Sequence, residues 1–161
     1  MTDAVIIIRV FDAPVEKVWA AWTERDKIAE WWGPKDFTAP HIELDFRVGG
    51  KYLYAMHGPA GTPFDVDMWS TGTFLEIVQL KKIAYVDSFA DAEGNVVSPE
   101  AYGMKGMDRE LHVTIEFEAV EGNKTKITLT HTGAPASSEH AKNMKAGWDQ
   151  SLDKMAESLR Q

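Results

Sequence analysis

Five histidines are the side chains whose charge can change near neutral pH, and they stand at positions 41, 57, 112, 131 and 140. No two of them have the HxxxH or HExxH spacing with which a helix presents zinc ligands. The chain also contains no cysteine, which excludes disulfides, thiolate metal ligands and cysteine nucleophiles. We therefore expect no metal site and no cofactor, and we assign no catalytic residue.

His131 is the histidine that the sequence directs toward an apolar interior. The segments LHVTIEFEAV and KTKITLTHT flank Glu121-Gly122-Asn123, and a three-residue hairpin loop suits Asn123 at its left-handed position. This register puts Val113 opposite His131, and opposed residues share a face of the sheet. His131 is then either a core histidine bonded to backbone or water, or a polar anchor or acid–base group in a cavity.

Large apolar side chains are unusually numerous, with six tryptophans, seven phenylalanines, four tyrosines and seven methionines. Such residues suit a core, and they equally suit an adaptable apolar pocket. The stretch EWWGPKDF (30–37) places two tryptophans where Gly33-Pro34 ends a helix. Either both indoles fill the core, or one of them borders a space for a ligand.

Periodicity of apolar residues predicts the elements that position these side chains. A β-branched strand is followed by two short helices, a run of antiparallel strands and one long amphipathic helix. We predict strands at 5–11, 41–48, 51–57, 66–78, 82–89, 111–120 and 124–132, and helices at 14–23, 26–32 and 137–159. At 161 residues this is a single α+β domain over residues 1–161.

The long helix covers the apolar face of the strands, since alternating strands need a cover on that face. Its stripe includes Met144 and Trp148, with Gly147 between them. A glycine inside a helix costs roughly 1 kcal/mol relative to alanine. We expect that a closely approaching strand offsets this cost, with space for a ligand as the alternative.

The formal net charge of −8 disfavours nucleic acid and anionic membranes as partners. The N-terminal stretch MTDAVIIIRVFDAP lacks a basic start, and its apolar run is too short for a signal peptide or a membrane span. We therefore expect a cytoplasmic protein that binds neither nucleic acid nor membrane.

Five stretches in this order resemble one known family: FDAPVEKVWAAWT, EWWGPKDF, DFRVGG, STGTFLEIV and GWDQSLDKMAESL. The resemblance spans residues 5–160 and is to the Activator of Hsp90 ATPase homologue-like branch of the START/Bet v 1-like superfamily. It implies a helix-grip fold, in which a curved antiparallel sheet and two short helices are closed by a long C-terminal helix over an internal cavity. Members include ligand carriers, cyclase-like enzymes and co-chaperone domains.

The resemblance implies that a small hydrophobic or aromatic molecule binds between the sheet and the last helix. A cyclase- or hydrolase-like enzyme using His131 is the first alternative, and a partner of an Hsp90-type chaperone is the second. A homodimer stays open, as does the face that Glu76 occupies. The expected ligand-binding residues are Trp32, Tyr54, Met56, Trp69, His131, Met144 and Trp148.

Overall fold

The computed structural model describes residues 2–102, 108–135 and 139–160. Seven strands and three α-helices follow one another in the predicted order, with a short 3₁₀ turn at Pro99–Tyr102. The elements are β1 (Thr2–Phe11), α1 (Val15–Thr23), α2 (Arg25–Trp31), β2 (Thr38–Leu44), β3 (Lys51–His57), β4 (Asp67–Val78), β5 (Lys82–Ala90), β6 (Leu111–Val120), β7 (Lys124–Pro135) and α3 (Glu139–Ser158).

The strands form one antiparallel sheet in the order β1-β7-β6-β5-β4-β3-β2. Strands β2 to β7 follow one another as a meander, and β1 pairs with the far side of β7. The inner face of the sheet is apolar and packs against the helices, which gives a single core. The predicted α+β helix-grip architecture is confirmed. None of the described helices has the length and hydropathy needed to cross a membrane.

The predicted β6–β7 hairpin is confirmed residue by residue. Val113 lies opposite His131 and Phe117 lies opposite Ile127. Asn123 closes the loop with a φ of 58°, which is the left-handed conformation that asparagine tolerates. His131 is consequently buried on the inner face, whereas the outward-facing His112 is exposed.

Helix and strand ends differ from the predictions by a few residues. The helix α2 ends at Trp31, and Gly33 has a φ of 96°, which agrees with its predicted role as a helix terminator. The strand β2 ends at Leu44 rather than at residue 48, because the backbone N–H of Gly50 bonds back to the carbonyl of Arg47 in a tight turn. The predicted start of α3 at residue 137 lies outside the described residues, which resume at residue 139.

Local contacts settle two further features. Within the described residues, no side chain caps the start of α1, where Pro14 precedes the first turn. Glu76 is exposed and forms an ion pair with Lys82 at 3.0 Å, which places it on the solvent side.

Lys154 anchors α3 to the segment that follows α2. Its ammonium group donates to the carbonyl of Phe37 at 2.9 Å and to that of Gly33 at 3.1 Å, and the carbonyls of Trp32 and Pro34 lie within 3.4 Å. Partial burial lowers the pKa of Lys154 from its ordinary value. A cation suits these carbonyls, because their oxygens accept hydrogen bonds and a charged donor makes those bonds stronger.

Candidate ligand-binding site

The concave interior has two ends that differ in packing, and the difference follows α3. In the second half of the helix, Ser151, Leu152 and Met155 are buried. In the first half, residues 139–150, no side chain is buried. We call the region under residues 151–158 the closed end, and the region under residues 139–150 the open end.

The tryptophan pair separates into one structural residue and one border residue. Trp31 is fully buried, and its indole N–H donates to the carbonyl of Ala21 at 2.8 Å. Trp32 is half-buried, and its ring lies 4.9 Å from Tyr54 and 5.9 Å from Trp148. Trp31 therefore fills the core, while Trp32 stands between the core and the open end.

The enclosed cavity beneath the helices is small. It offers about 20 Å³ to the centre of a water molecule, which is room for about one water and far below the roughly 150 Å³ that takes up benzene. Its walls are Trp22, Ile28, Trp31, Trp32, Tyr52, Tyr54, Phe74, Ile83 and Tyr85. The internal cavity that the resemblance implies is therefore too small for an aromatic ligand as the side chains are packed.

His131 and Trp148 form a polar contact at the boundary between the two ends. The indole N–H of Trp148 donates to Nδ1 of His131 at 2.8 Å. Since Nδ1 accepts, the neutral ring carries its proton on Nε2, and this buried nitrogen has no hydrogen-bond partner among the described residues. Burial lowers the pKa of His131 to about 4, so the ring is neutral at physiological pH.

Asp87 is a polar residue of the same inner face that the sequence analysis did not identify. It lies opposite Leu111 of β6 and Gly72 of β4, and it is half-buried. The hydroxyl of Tyr52 and the backbone N–H of Ser88 donate to its carboxyl group. Burial raises the pKa of Asp87 to about 7 despite these bonds.

A signal for Asp87 exists in the sequence. The segment KIAYVDSFA places Ile83, Tyr85, Asp87 and Phe89 on one face of a strand. An acidic residue in an otherwise apolar row departs from the alternation that a half-buried strand requires. Assigning that row to the inner face requires the pairing of β5 with β6, in which Ile83 lies opposite Ile115.

Gly72 explains how Tyr52 reaches Asp87. A Cβ atom at position 72 would lie 2.6 Å from the ring of Tyr52 and 1.9 Å from the carbonyl oxygen of Val86. The absence of a side chain therefore lets the Tyr52 ring lie over the neighbouring strand, with its hydroxyl at Asp87. The rings of Tyr54 and Tyr85 lie 4.5 and 5.4 Å from that of Tyr52, which makes the surroundings of the carboxyl group aromatic.

Five of the seven predicted ligand-binding residues belong to the inner face of the sheet or to the side of α3 that includes Trp148, and Trp32 lies next to that tryptophan at the end of α2. Tyr54 and Met56 alternate with outward residues of β3, and Met144 lies one helical turn before Trp148. The prediction that Trp69 lines the same site has to be corrected. Trp69 lies opposite Ala55 in the β3–β4 ladder, so it projects from the face opposite to Tyr54 and cannot share a wall with it. There its ring lies 5.3 Å from that of His41.

Close packing does not explain Gly147. Among the described residues, a Cβ atom there would meet only the Cγ atom of Pro34, at 3.7 Å, which is an ordinary van der Waals distance. The expectation that a strand approaches Gly147 is therefore wrong. The alternative, that the glycine leaves space for a ligand, stays a prediction.

Comparison with known proteins places this geometry in a family. The family model described as Activator of Hsp90 ATPase homolog 1-like protein matches residues 12–160. A protein of Arthrobacter aurescens solved by NMR has 27% sequence identity and a TM-score of 0.78, with 99% of this chain and 91% of that chain covered. A crystal structure from Chromobacterium violaceum has 25% identity and a TM-score of 0.76, with 96% of both chains covered.

A solved structure with lower sequence identity supports the fold alone. A crystal structure titled as the AHSA1 protein of Silicibacter pomeroyi has 21% identity and a TM-score of 0.75, with 98% of both chains covered. No curated protein matches the sequence significantly. The chain therefore aligns over nearly its full length with proteins of this fold, and its site chemistry has to be argued from its own residues.

Proposed function

The chain belongs to the Activator of Hsp90 ATPase homolog 1-like family, and from this premise we propose that it binds a small molecule with an apolar or aromatic body at the open end. The observation that carries the proposal is the contrast along α3, where burial stops at residue 151. The ring of half-buried Trp148 in the unburied half lies 5.9 Å from that of half-buried Trp32, and half-buried Met56 lies on the same inner face of the sheet as Asp87. Apolar walls with a few polar groups are typical of ligand sites.

The flexible side chains at the open end can change rotamer to fit a ligand. Methionine is unbranched and fills irregular gaps, so Met56 and Met144 suit a site that adjusts to the shape of its ligand. Burial of apolar area at about 25 cal/mol per Å² supports micromolar affinity for an aromatic molecule. The unpartnered Nε2–H of His131 adds a donor for a polar group of the ligand.

Catalysis by His131 is less well supported than binding. A general base needs a free lone pair, and the Nδ1 lone pair of His131 already accepts from Trp148. A pKa of about 4 also leaves the ring a weak base at neutral pH. We therefore assign His131 the role of a polar anchor within the proposed site.

Tryptophan fluorescence tests the proposal directly. We expect 2-phenylethanol and related aromatic ligands to change the emission of the parent protein, because Trp32 and Trp148 border the site. A Trp32→Phe variant is expected to lose most of this change. Trp69→Phe is the matched control and is expected to keep it, since Trp69 lies on the other face of the sheet.

Two results would count against ligand binding at the open end. The first is an absence of any emission change across a panel of aromatic, acyl and amine ligands. The second is a change that disappears in Trp69→Phe and persists in Trp32→Phe, which would move the site to the outer face.

A second candidate function, suggested by the family description, is association with an Hsp90-type chaperone. The observation that favours it is an apolar stripe on the outer face of the edge strand β1, where Ile6, Ile8 and Val10 are 57%, 61% and 52% exposed. An exposed apolar row on an edge strand suits a protein partner. Co-sedimentation with a purified Hsp90 that is lost in an Ile6→Thr, Ile8→Thr double variant would support it, and no association of the parent would exclude it.

A further inference from the structure

The carboxyl group of Asp87 lies on the inner face without a charged partner among the described residues. None of the ion pairs found within residues 2–102, 108–135 and 139–160 includes Asp87. Its two hydrogen-bond donors, the Tyr52 hydroxyl and the Ser88 N–H, are neutral. A carboxylate has about four acceptor positions, so capacity for another donor remains.

Groups facing Asp87 are aromatic rather than cationic. Tyr52 and Tyr54 face it from β3, and Tyr85 precedes it on its own inner-face row. Its ladder neighbours Gly72 and Leu111 carry no charge. Burial, together with the negative charge of Asp87, raises the pKa of all three tyrosine hydroxyls, so these groups stay neutral over the physiological range.

This arrangement is complementary to one chemical class. An unpaired carboxylate attracts a cation, and the faces of tyrosine and tryptophan rings attract cations as well. The rings of Tyr52, Tyr54 and Trp32 form a continuous series, with centroids 4.5 and 4.9 Å apart, from Asp87 to the border of the open end. The net charge of −8 adds a favourable long-range field for a cation.

We infer that the open end recognises an organic cation, in which a protonated amine pairs with Asp87 and an attached apolar or aromatic body lies against Tyr54, Trp32 and Trp148. This inference rests on the proposed ligand-binding function and names the class of ligand. The amine supplies the counter-charge that the described residues do not, and it donates to the acceptor positions that Tyr52 and Ser88 leave open. Neutral and anionic relatives of the same body lack this pairing.

Protonation of the carboxyl group gives the inference a pH signature. Burial holds the pKa of Asp87 near 7, whereas an alkylamine stays protonated to about pH 9. A cation stabilises the ionised carboxylate. Amine affinity is therefore expected to rise as the pH increases from about 5.5 to about 8.5, and binding near pH 6 is expected to release a proton.

Calorimetric titration with three probes of one shape tests the inference: 2-phenylethylamine, 2-phenylethanol and phenylacetate. For the parent protein at about pH 8 we expect the amine to bind at least tenfold more tightly than the alcohol, and phenylacetate to bind most weakly. Asp87→Asn is expected to weaken the amine at least tenfold and to leave the alcohol within about twofold. Glu116→Gln, which removes an exposed outer-face carboxylate, is the matched control and is expected to leave all three affinities unchanged.

Failures of the two proposals are distinguishable. If the alcohol and the amine bind equally well and Asp87→Asn changes neither, ligand binding stands and the cation inference is wrong. If none of the probes binds the parent, both the cation inference and the proposed ligand-binding function are wrong. The pH series on the parent needs no variant, so a flat amine affinity between about pH 5.5 and 8.5 overturns the inference even where Asp87→Asn does not fold.

Discussion

The two halves of α3 lie over the same sheet, yet they face different physical environments. At the closed end, Leu152 and Met155 have no exposed surface and pack into the core. At the open end, Met144 and Trp148 are half-buried, and the polar groups of Asp87 and His131 lie on the inner face beside them. The closed end thus supplies stability, whereas the open end carries polar groups whose burial costs stability.

The largest expected effect is a loss of stability caused by a substitution at the closed end. Leu152→Ala is expected to lower the free energy of unfolding by about 2–5 kcal/mol, because it removes a fully buried side chain and leaves a cavity. Met144→Ala is the matched change at the open end and is expected to cost less than about 1 kcal/mol. Urea unfolding followed by circular dichroism measures both values, and similar losses in the two variants would contradict a division of α3 into two halves.

Asp87→Asn is expected to have the next largest effect, with the opposite sign. The raised pKa of about 7 means that the folded state holds more protons than the unfolded state between about pH 4 and 7, so stability falls as the pH rises through this window. Removing the carboxylate abolishes that loss and is expected to raise the free energy of unfolding at pH 8 by about 2–4 kcal/mol. Unfolding midpoints at several pH values measure the change.

Glu116→Gln again provides the control, because this carboxylate is exposed on the outer face. It is expected to shift the midpoint negligibly at every pH. A variant Asp87→Asn that is no more stable than the parent at pH 8 would show that the carboxylate is compensated in solution.

His131 is expected to produce a pH dependence that runs against that of Asp87. Its pKa of about 4 lies below the unfolded value of about 6.5, so the unfolded state binds the extra proton and stability is lost as the pH falls from 6.5 toward 4. In the Asp87→Asn background this loss is expected to reach about 3 kcal/mol. His131→Phe in that background is expected to flatten the profile, and an unchanged slope would place the titration elsewhere.

Gly147→Ala is expected to have the smallest effect and to separate stability from binding. Alanine fits beside Pro34 and improves helix propensity, so the free energy of unfolding should rise by up to about 1 kcal/mol. If the glycine provides space for a ligand, affinity for 2-phenylethylamine falls in the same variant. Thermal unfolding and titration measure the two effects, and a destabilised variant would restore close packing as the reason for the glycine.

Local rules were sufficient to predict much of the architecture. The three-residue loop ending at Asn123 fixed the register of β6 and β7, and that register placed His131 inward. Alternation in β3 likewise placed Tyr54 and Met56 on one face. These predictions succeeded because each depended on contacts within one hairpin or one strand.

Predictions that required distant pairings were incomplete. Trp69 was assigned to the ligand-binding wall from its residue type, and only its pairing with Ala55 shows that it faces the other way. Asp87 was not identified, because its role depends on a tyrosine 35 positions away in sequence. The small volume of the interior cavity also could not be predicted, since the space that its three tryptophans and their aromatic neighbours leave free depends on their mutual rotamers.

The most direct test of the account is an NMR titration of the parent protein with 2-phenylethylamine at about pH 8, followed through backbone amide shifts. We expect the largest shifts at residues 54–56, around Asp87 and His131, and at residues 144–148, with residues 151–158 and the Phe117–Ile127 region unchanged. Saturating shifts concentrated at residues 151–158, or no shifts at millimolar amine, would contradict the claim that the open end is a ligand site.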